Sequence, residues 1–326
     1  MTKSYKQLTY EQRCQIYALK KSGFSQRQIA KSIEVDQSTI SRELARNSGW
    51  RGYRYKQAQD KAEERRREAI KPTKMLPSTI EVIEVKLRLQ WSPEQISGWL
   101  LETEELLISH ETIYKHIWAD KQSGGDLYRN LRRQGKKYER RRNGKSARGQ
   151  IKDRVSIDER PEIVDAKSRI GDWEIDTMIG KGHSGALVTI VERVTNFTLA
   201  AQVNSKSADN VTEATIALLK PIKDQVHTIT ADNGKEFASH DQISRALDAN
   251  VYFAHPYSSW ERGLNENTNG LLRQYFPKQT DLKKISQKEV EQVVINLNTR
   301  PRKGLGFKTP LELMSKYRET QVAQVL

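Results

Sequence analysis

Residues 171–203 read GDWEIDTMIGKGHSGALVTIVERVTNFTLAAQV. Three segments within them, GDWEIDTMIG, ALVTIVERV and FTLAAQV, are short, rich in branched residues and partly alternating, so they predict three strands in hairpin succession. The link GKGHSG (180–185) matches the dinucleotide pattern G-x-G-x-x-G letter for letter, but that site needs a helix after the glycines, and here a strand-like run follows. It reads as a glycine-rich hairpin. Downstream, NVTEATIALLKPI (210–222) predicts a helix, VHTITADNG (226–234) a buried strand ending in polar residues, and VYFAHPYSS (251–259) another short strand. Helices over 260–278, 287–298 and 309–317 complete the series. Strands first in antiparallel order, then alternating with helices, predict a mixed sheet covered by helices.

Upstream the texture is helical. Thr9 with Gln12 and Ser25 with Gln28 fit capping boxes, and Asp36 fits an N-cap, so residues 9–47 predict three short helices. The last two, joined by a four-residue turn, describe a helix-turn-helix. Its second helix carries Gln37, Ser38, Thr39, Ser41, Arg42 and Arg46, the donor-rich face that such a motif lays against base edges in the major groove. A second unit of this kind starts at Ser92, Pro93 and Gln95 and continues from Ser109, with a longer gap between its helices. Between the two lies a charged helix or linker, KAEERRREAIKPTK (61–74). Residues 129–154 hold twelve Lys or Arg against Glu139 and Asp153, a basic linker suited to lie along phosphates. The expected organisation is a first helix-turn-helix domain over 1–50, a charged helix or linker over 51–75, a second helix-turn-helix-like domain over 76–122, a basic linker over 123–158 and an α/β domain over 159–326.

Charge separates these parts. The 326 residues carry 56 Lys and Arg against 41 Asp and Glu, a net of +15. Residues 1–150 hold 32 basic and 18 acidic side chains, and the remainder 24 and 23, so the positive field belongs to the first half. That is the footprint of a polyanion-binding region joined to a near-neutral globular one. Cys14 is the one cysteine, which excludes an intrachain disulfide and fits a reducing compartment. The opening residues show no signal-peptide pattern, and ALVTIV is far shorter than a membrane span, so a soluble cytoplasmic protein with no membrane partner is expected. The six histidines form no ligand cluster, and no phosphate-binding G-x-x-x-x-G-K-[ST] loop or G-x-S-x-G nucleophile motif is present.

The helix WERGLNENTNGLLRQYFPK (260–278) raises a separate question. Its apolar residues are helically spaced, yet Asn265, Asn267, Asn269 and Gly270 crowd one acid, Glu266. Glycine alone costs about 1 kcal/mol in a helix interior relative to alanine. Other acids stand on the first strand, where Asp172, Glu174 and Asp176 compete, and at the end of the fourth, where Asp232 lies. Hard divalent cations such as Mg²⁺ take oxygen ligands and leave positions for phosphates, and clustered carboxylates repel one another without them. Small, hydrogen-bonding neighbours of Glu266 would leave room and donors for a DNA backbone, and Arg273 falls near the same helix face, where it would meet a phosphate.

With these motifs in order, the chain resembles the IS30 family of bacterial insertion-sequence transposases, members of the DDE group with an RNase H-like core. The resemblance rests on GFSQRQIAKSIEVDQSTISREL, SPEQIS, SHETIY, GDWEIDTMIG, TADNGKEF, HPYSSWERGLNENTNGLLRQYFPK and NTRPRKGLGFKTPLEL, which span nearly the whole chain. It implies that Asp176, Asp232 and Glu266 form the metal-binding catalytic triad, selecting Asp176 among its neighbours. The 33 residues between Asp232 and Glu266 are the interval the family shows. It further implies Mg²⁺ or Mn²⁺, two ions per site, and double-stranded DNA partners: the terminal inverted repeats and the target. Strand cleavage followed by strand transfer, in a homodimer or larger assembly, would be the activity. The alternatives are a DNA-binding repressor whose acidic core is structural and an RNase H-like nuclease acting on RNA–DNA hybrids.

Overall fold

A computed structural model describes residues 7–68, 74–132, 151–256 and 258–325. Residues 133–150, half of the basic linker expected over 123–158, lie outside the described residues, as does the end of the charged segment, 69–73. The chain divides into two compact units, Met1–Thr73 and Lys74–Leu326.

In the first unit the expected capping residues start their helices. Thr9 and Gln12 close a capping box before α1 (Tyr10–Lys21), Ser25 and Gln28 another before α2 (Gln26–Ser32), and the Asp36 side chain accepts from Ser38 N at the head of α3 (Gln37–Asn47). Ile16, Ile29, Ile33, Ile40 and Leu44 form the core at helical spacing. The charged segment forms α4 (Tyr55–Glu68), which packs on α1 and α3 and buries Ala58. Arg13 and Glu43 make a buried ion pair at 2.9 Å, to which the Tyr53 hydroxyl donates at 3.0 Å. Cys14 is half-buried on α1.

The second unit opens with α5 (Pro77–Arg88), α6 (Pro93–Glu104) and α7 (His110–Gln122), around Ile83, Leu87, Ile96, Leu100, Ile113 and Ile117. The capping box of Ser92 with Gln95 and the Ser109 N-cap stand where expected, and α5 is an addition to the sequence reading. Helix α6 is packed against the segment near the chain's end: a Cβ on Gly98 would fall inside the Phe307 ring, and Lys303 pairs with Glu94 at 2.6 Å.

A six-stranded sheet follows, in the order β1-β6-β5-β2-β3-β4. Its members are β1 (Val155–Ser156), β2 (Asp172–Ile179), β3 (Ala186–Glu192), β4 (Thr198–Val203), β5 (Thr228–Ala231) and β6 (Asn250–Phe253). Strands β2, β3 and β4 pair antiparallel, whereas β5 joins β2, β6 joins β5 and β1 joins β6 in parallel, so the sheet is mixed as the sequence predicts. A short helix, α8 (Glu162–Asp165), precedes β2. One face packs α9 (Ala208–Leu219), α10 (His240–Leu247) and Met314 of α13 (Pro310–Val325) onto Trp173, Ile175, Val188 and Ile190. The other packs α11 (Gly263–Tyr275) and α12 (Gln287–Asn298) onto Met178, Leu187 and Ala200. Because strand side chains alternate, odd-numbered residues of β2 face the first layer and even-numbered ones face α11. Among the described residues no helix is long and apolar enough to cross a membrane.

Candidate active site

Three acids therefore line one face of β2, and their partners distinguish them. Asp172 receives two hydrogen bonds from Arg169, at 2.9 and 3.0 Å, and one from the Thr228 hydroxyl at 2.8 Å. Glu174 pairs with Arg193 at 2.7 Å and accepts the Asn265 backbone N–H at 3.0 Å. Burial pushes the Glu174 carboxyl above the usual carboxylate range, and the Arg193 guanidinium opposes that rise. Arg262, the residue before α11, supplies no side-chain cap, so Glu174 serves a helix start that would otherwise leave this donor orphaned. Asp172 and Glu174 are thus committed to structural partners.

Asp176 is placed differently. Asp172 pairs with Thr228 and Glu174 with Thr230 across the parallel β2–β5 ladder, and the same offset carried one pair further sets Asp176 level with Asp232. Arg262 stands between them, with Nη1 3.7 Å from Asp176 Oδ1 and Nη2 3.4 Å from Asp232 Oδ2. The two aspartates keep 24% and 18% of their side-chain surface open, enough for a small ion to reach them. Burial raises the Asp176 carboxyl above its ordinary value, Arg262 counteracts this, and the Asp232 charge adds to it. Asp232 Oδ1 also accepts the Gly234 N–H at 2.8 Å, the short local turn that ends this strand.

Asn265 and Asn269 of α11 face the sheet, whereas Asn267 is exposed. Asn269 Nδ2 donates to Asp176 Oδ2 at 3.0 Å, and Asn265 Nδ2 donates to the Thr189 carbonyl at 3.3 Å. The Thr189 hydroxyl lies 3.1 Å from Asn265 Oδ1 and 2.9 Å from Asn269 Oδ1. Asn265 is fully buried. These two poor helix formers bind α11 to β2 and β3 rather than leaving donors for DNA. A Cβ on Gly270 would fall on the Arg132 guanidinium, so the glycine admits a close neighbour.

Asp176 and Asp232 are brought together. Glu266 is exposed on α11, one turn after Arg262 and one turn before Asn269, the two residues of this segment that meet Asp176. Among the described residues no three His, Cys, Asp or Glu side chains gather closely enough to hold one metal ion. Arg273, expected to meet a phosphate, donates to the Ile179 carbonyl at 2.8 Å and the Phe276 carbonyl at 3.4 Å, pinning the end of α11 to the end of β2. In the first unit Gln37, Ser38, Ser41, Arg42 and Arg46 are exposed along α3, and Thr39 is half-buried. Arg42 Nη2 donates to the Ser38 hydroxyl at 2.9 Å.

Arg262, Thr189 and the structural role of Glu174 escaped the sequence reading. Two signals were available: Arg262 lies four residues before Glu266, hence on its helical side, and Thr189 is the lone hydroxyl inside the apolar run ALVTIV.

The chain matches two family models, a helix-turn-helix domain over residues 4–47 and an integrase core domain over residues 166–259. It is 45% identical over 309 residues to the transposase for insertion sequence element IS4351 of Bacteroides fragilis, covering 94% of this chain and 95% of that protein. It is 38% identical over 324 residues to transposase InsI for insertion sequence element IS30A of Escherichia coli K12, covering 95% and 83%. The catalytic core domain of BIV integrase superposes on 46% of this chain and 97% of its own with a TM-score of 0.36 and 20% identity. A helix-turn-helix domain joined to an integrase core defines a DNA-binding enzyme that cleaves and transfers DNA. The chain belongs to the IS30 family of insertion-sequence transposases.

Proposed function

We propose that this transposase binds the terminal inverted repeats of its own insertion sequence and carries out metal-dependent strand cleavage and strand transfer with Asp176, Asp232 and Glu266. The observation that carries the reading is the convergence of Asp176 and Asp232 on one guanidinium, with Arg262 3.7 Å from the first and 3.4 Å from the second. Two open carboxylates offering only oxygen, held beside one guanidinium, form a donor set that fits a hard cation such as Mg²⁺ or Mn²⁺. Two such ions, when bound, supply stabilisation of the attacking and leaving oxygens of an in-line phosphoryl displacement. Asp176 and Asp232 would hold the ions from the sheet, and Glu266 would complete the set from α11.

Asn269 fixes the Asp176 carboxylate, leaving its direction set before any ion arrives. Helix α3, through the exposed Gln37, Ser38, Ser41, Arg42 and Arg46 and the half-buried Thr39, reads the repeat in the major groove. The second helical unit, α5 to α7, would assist on the same DNA. Two ends must be held together, so the active assembly is a dimer or larger. These steps take place in the cytoplasm, on the DNA that encodes the protein.

The test uses DNA fragments carrying the ends of the encoding element. Wild type nicks them with Mg²⁺ or Mn²⁺; Glu266→Gln and Asp176→Asn bind them with unchanged affinity and do not cut. Wild type that binds the ends but never nicks them under either metal would leave the repressor reading in place.

A further inference from the structure

We infer that Arg262 is the resident counter-ion of the aspartate pair: a positioning residue that holds Asp176 and Asp232 together without a metal and gives way to a divalent cation when one binds. The inference rests on the proposed reading of that pair as a metal site.

Three arginines serve the acids on this face of β2, and they differ in grip. Arg193 meets Glu174 at 2.7 Å, and Arg169 meets Asp172 through two bonds at 2.9 and 3.0 Å. Those are the lengths of permanent charge-assisted hydrogen bonds. Arg262 instead stands 3.7 and 3.4 Å from its two carboxylates, within ion-pair range but beyond such bonds. Its firm contact is elsewhere: Nη1 donates to the Ile175 carbonyl at 3.1 Å. The side chain is 10% exposed, and its Nε is buried with no hydrogen-bond partner. A buried guanidinium with an unspent donor and loose carboxylate contacts neutralises charge without tying the carboxylates down. Lys206, another cation near the site, is not free to do this, because it pairs with Glu236 at 2.6 Å.

An ion entering between Asp176 and Asp232 takes over the neutralisation that Arg262 provides. A guanidinium and a divalent cation in the same small space repel each other, so occupancy by one disfavours the other. Arg262 sits four residues before Glu266 on the segment entering α11.

The experiment measures metal binding by the full chain without DNA, using Mn²⁺ followed by electron paramagnetic resonance and by the shift in melting temperature. Arg262→Gln removes the charge and leaves a shorter, neutral amide in its place. It should bind Mn²⁺ on the order of tenfold more tightly than wild type. It should also melt lower without metal and show the larger metal-induced shift. Arg262→Lys retains the charge and should stay close to wild type. Equal or weaker Mn²⁺ binding by Arg262→Gln overturns the exchange. If wild type takes up no Mn²⁺ that Asp176→Asn abolishes, the metal reading itself fails, and the exchange with it. Should Arg262→Gln not fold, labelled arginine spectra of wild type carry the test. One guanidinium resonance, missing in Arg262→Lys, should move on adding Mg²⁺, and its immobility at saturating metal overturns the inference.

Discussion

Replacing Glu174 by alanine removes a carboxylate that touches neither the proposed metal site nor solvent, and the structure sets the cost. The side chains of Arg193 and Glu174 are 7% and 3% exposed and meet at 2.7 Å. Removing one member of a buried pair costs up to about 3–5 kcal/mol, and Arg193 would keep only its looser ion-pair contact, 3.5 Å, to the largely exposed Asp165. The Asn265 N–H at the head of α11 loses its acceptor as well, a capping loss of about 1 kcal/mol. The two losses share one site and overlap, so about 4 kcal/mol is expected, a fall of about 10 °C in melting temperature for a unit of this size. Calorimetry of the full chain measures the loss, and hydrogen exchange of the Asn265 amide reports the freed helix start. The double variant Glu174→Leu with Arg193→Met removes both charges, so the orphaned amide, the Val164 carbonyl that loses the Arg193 Nε–H and imperfect packing remain, about 1–2 kcal/mol. A single variant within about 1 kcal/mol of wild type, or a double no better than the single, would refute the argument from buried charge.

Other outcomes follow from the same packing. Thr189→Val removes the hydroxyl between Asn265 and Asn269, so it should cost about 1–3 kcal/mol and slow strand cutting by loosening Asn269 from Asp176; unchanged cutting would show that Asn269 needs no such anchor. Gly98→Ala forces the Phe307 ring aside and should cost about 1–3 kcal/mol, with protection from proteolysis lost first near residues 303–308; a neutral result would mean that α6 and this segment are not held together. His255 donates to Glu261 at 2.8 Å and Asp158 at 2.9 Å, and these carboxylates raise its pKa above the ordinary value. A raised folded value means that this stabilisation is complete below pH about 6.5 and is lost as the pH rises through the higher folded pKa. An imidazole titration by nuclear magnetic resonance should therefore show a His255 midpoint above 6.5, falling in Glu261→Gln; a midpoint at or below about 6.5 in wild type would contradict it.

Local patterns in the sequence reached far. Capping residues placed α1, α2, α3, α6 and α7, because a Ser, Thr or Asp side chain that satisfies an orphan amide acts within four residues of itself. Alternation and branching placed β2, β3 and β4 for the same reason: the period of a strand is written in consecutive residues. The two-residue β1 carried too little pattern to be read, whereas the amphipathic spacing of Ile243 and Leu247 in α10 was legible but passed over. The family resemblance, rather than spacing, selected Asp176 from three acids on one face of β2.

Partnership is what the sequence withheld. Only the folded sheet assigns Arg193 to Glu174 and Arg262 to the pair of Asp176 and Asp232, because those contacts join residues brought together by strand register and helix packing. The crowded asparagines of α11 likewise made sense only against Thr189 and Asp176, both more than seventy positions away. The sequence determined which segments fold and which residue types the chemistry needs, since both are local properties of a chain. The tertiary structure decided which charges meet, since an electrostatic interaction depends on distance and burial, and neither exists until the elements have packed.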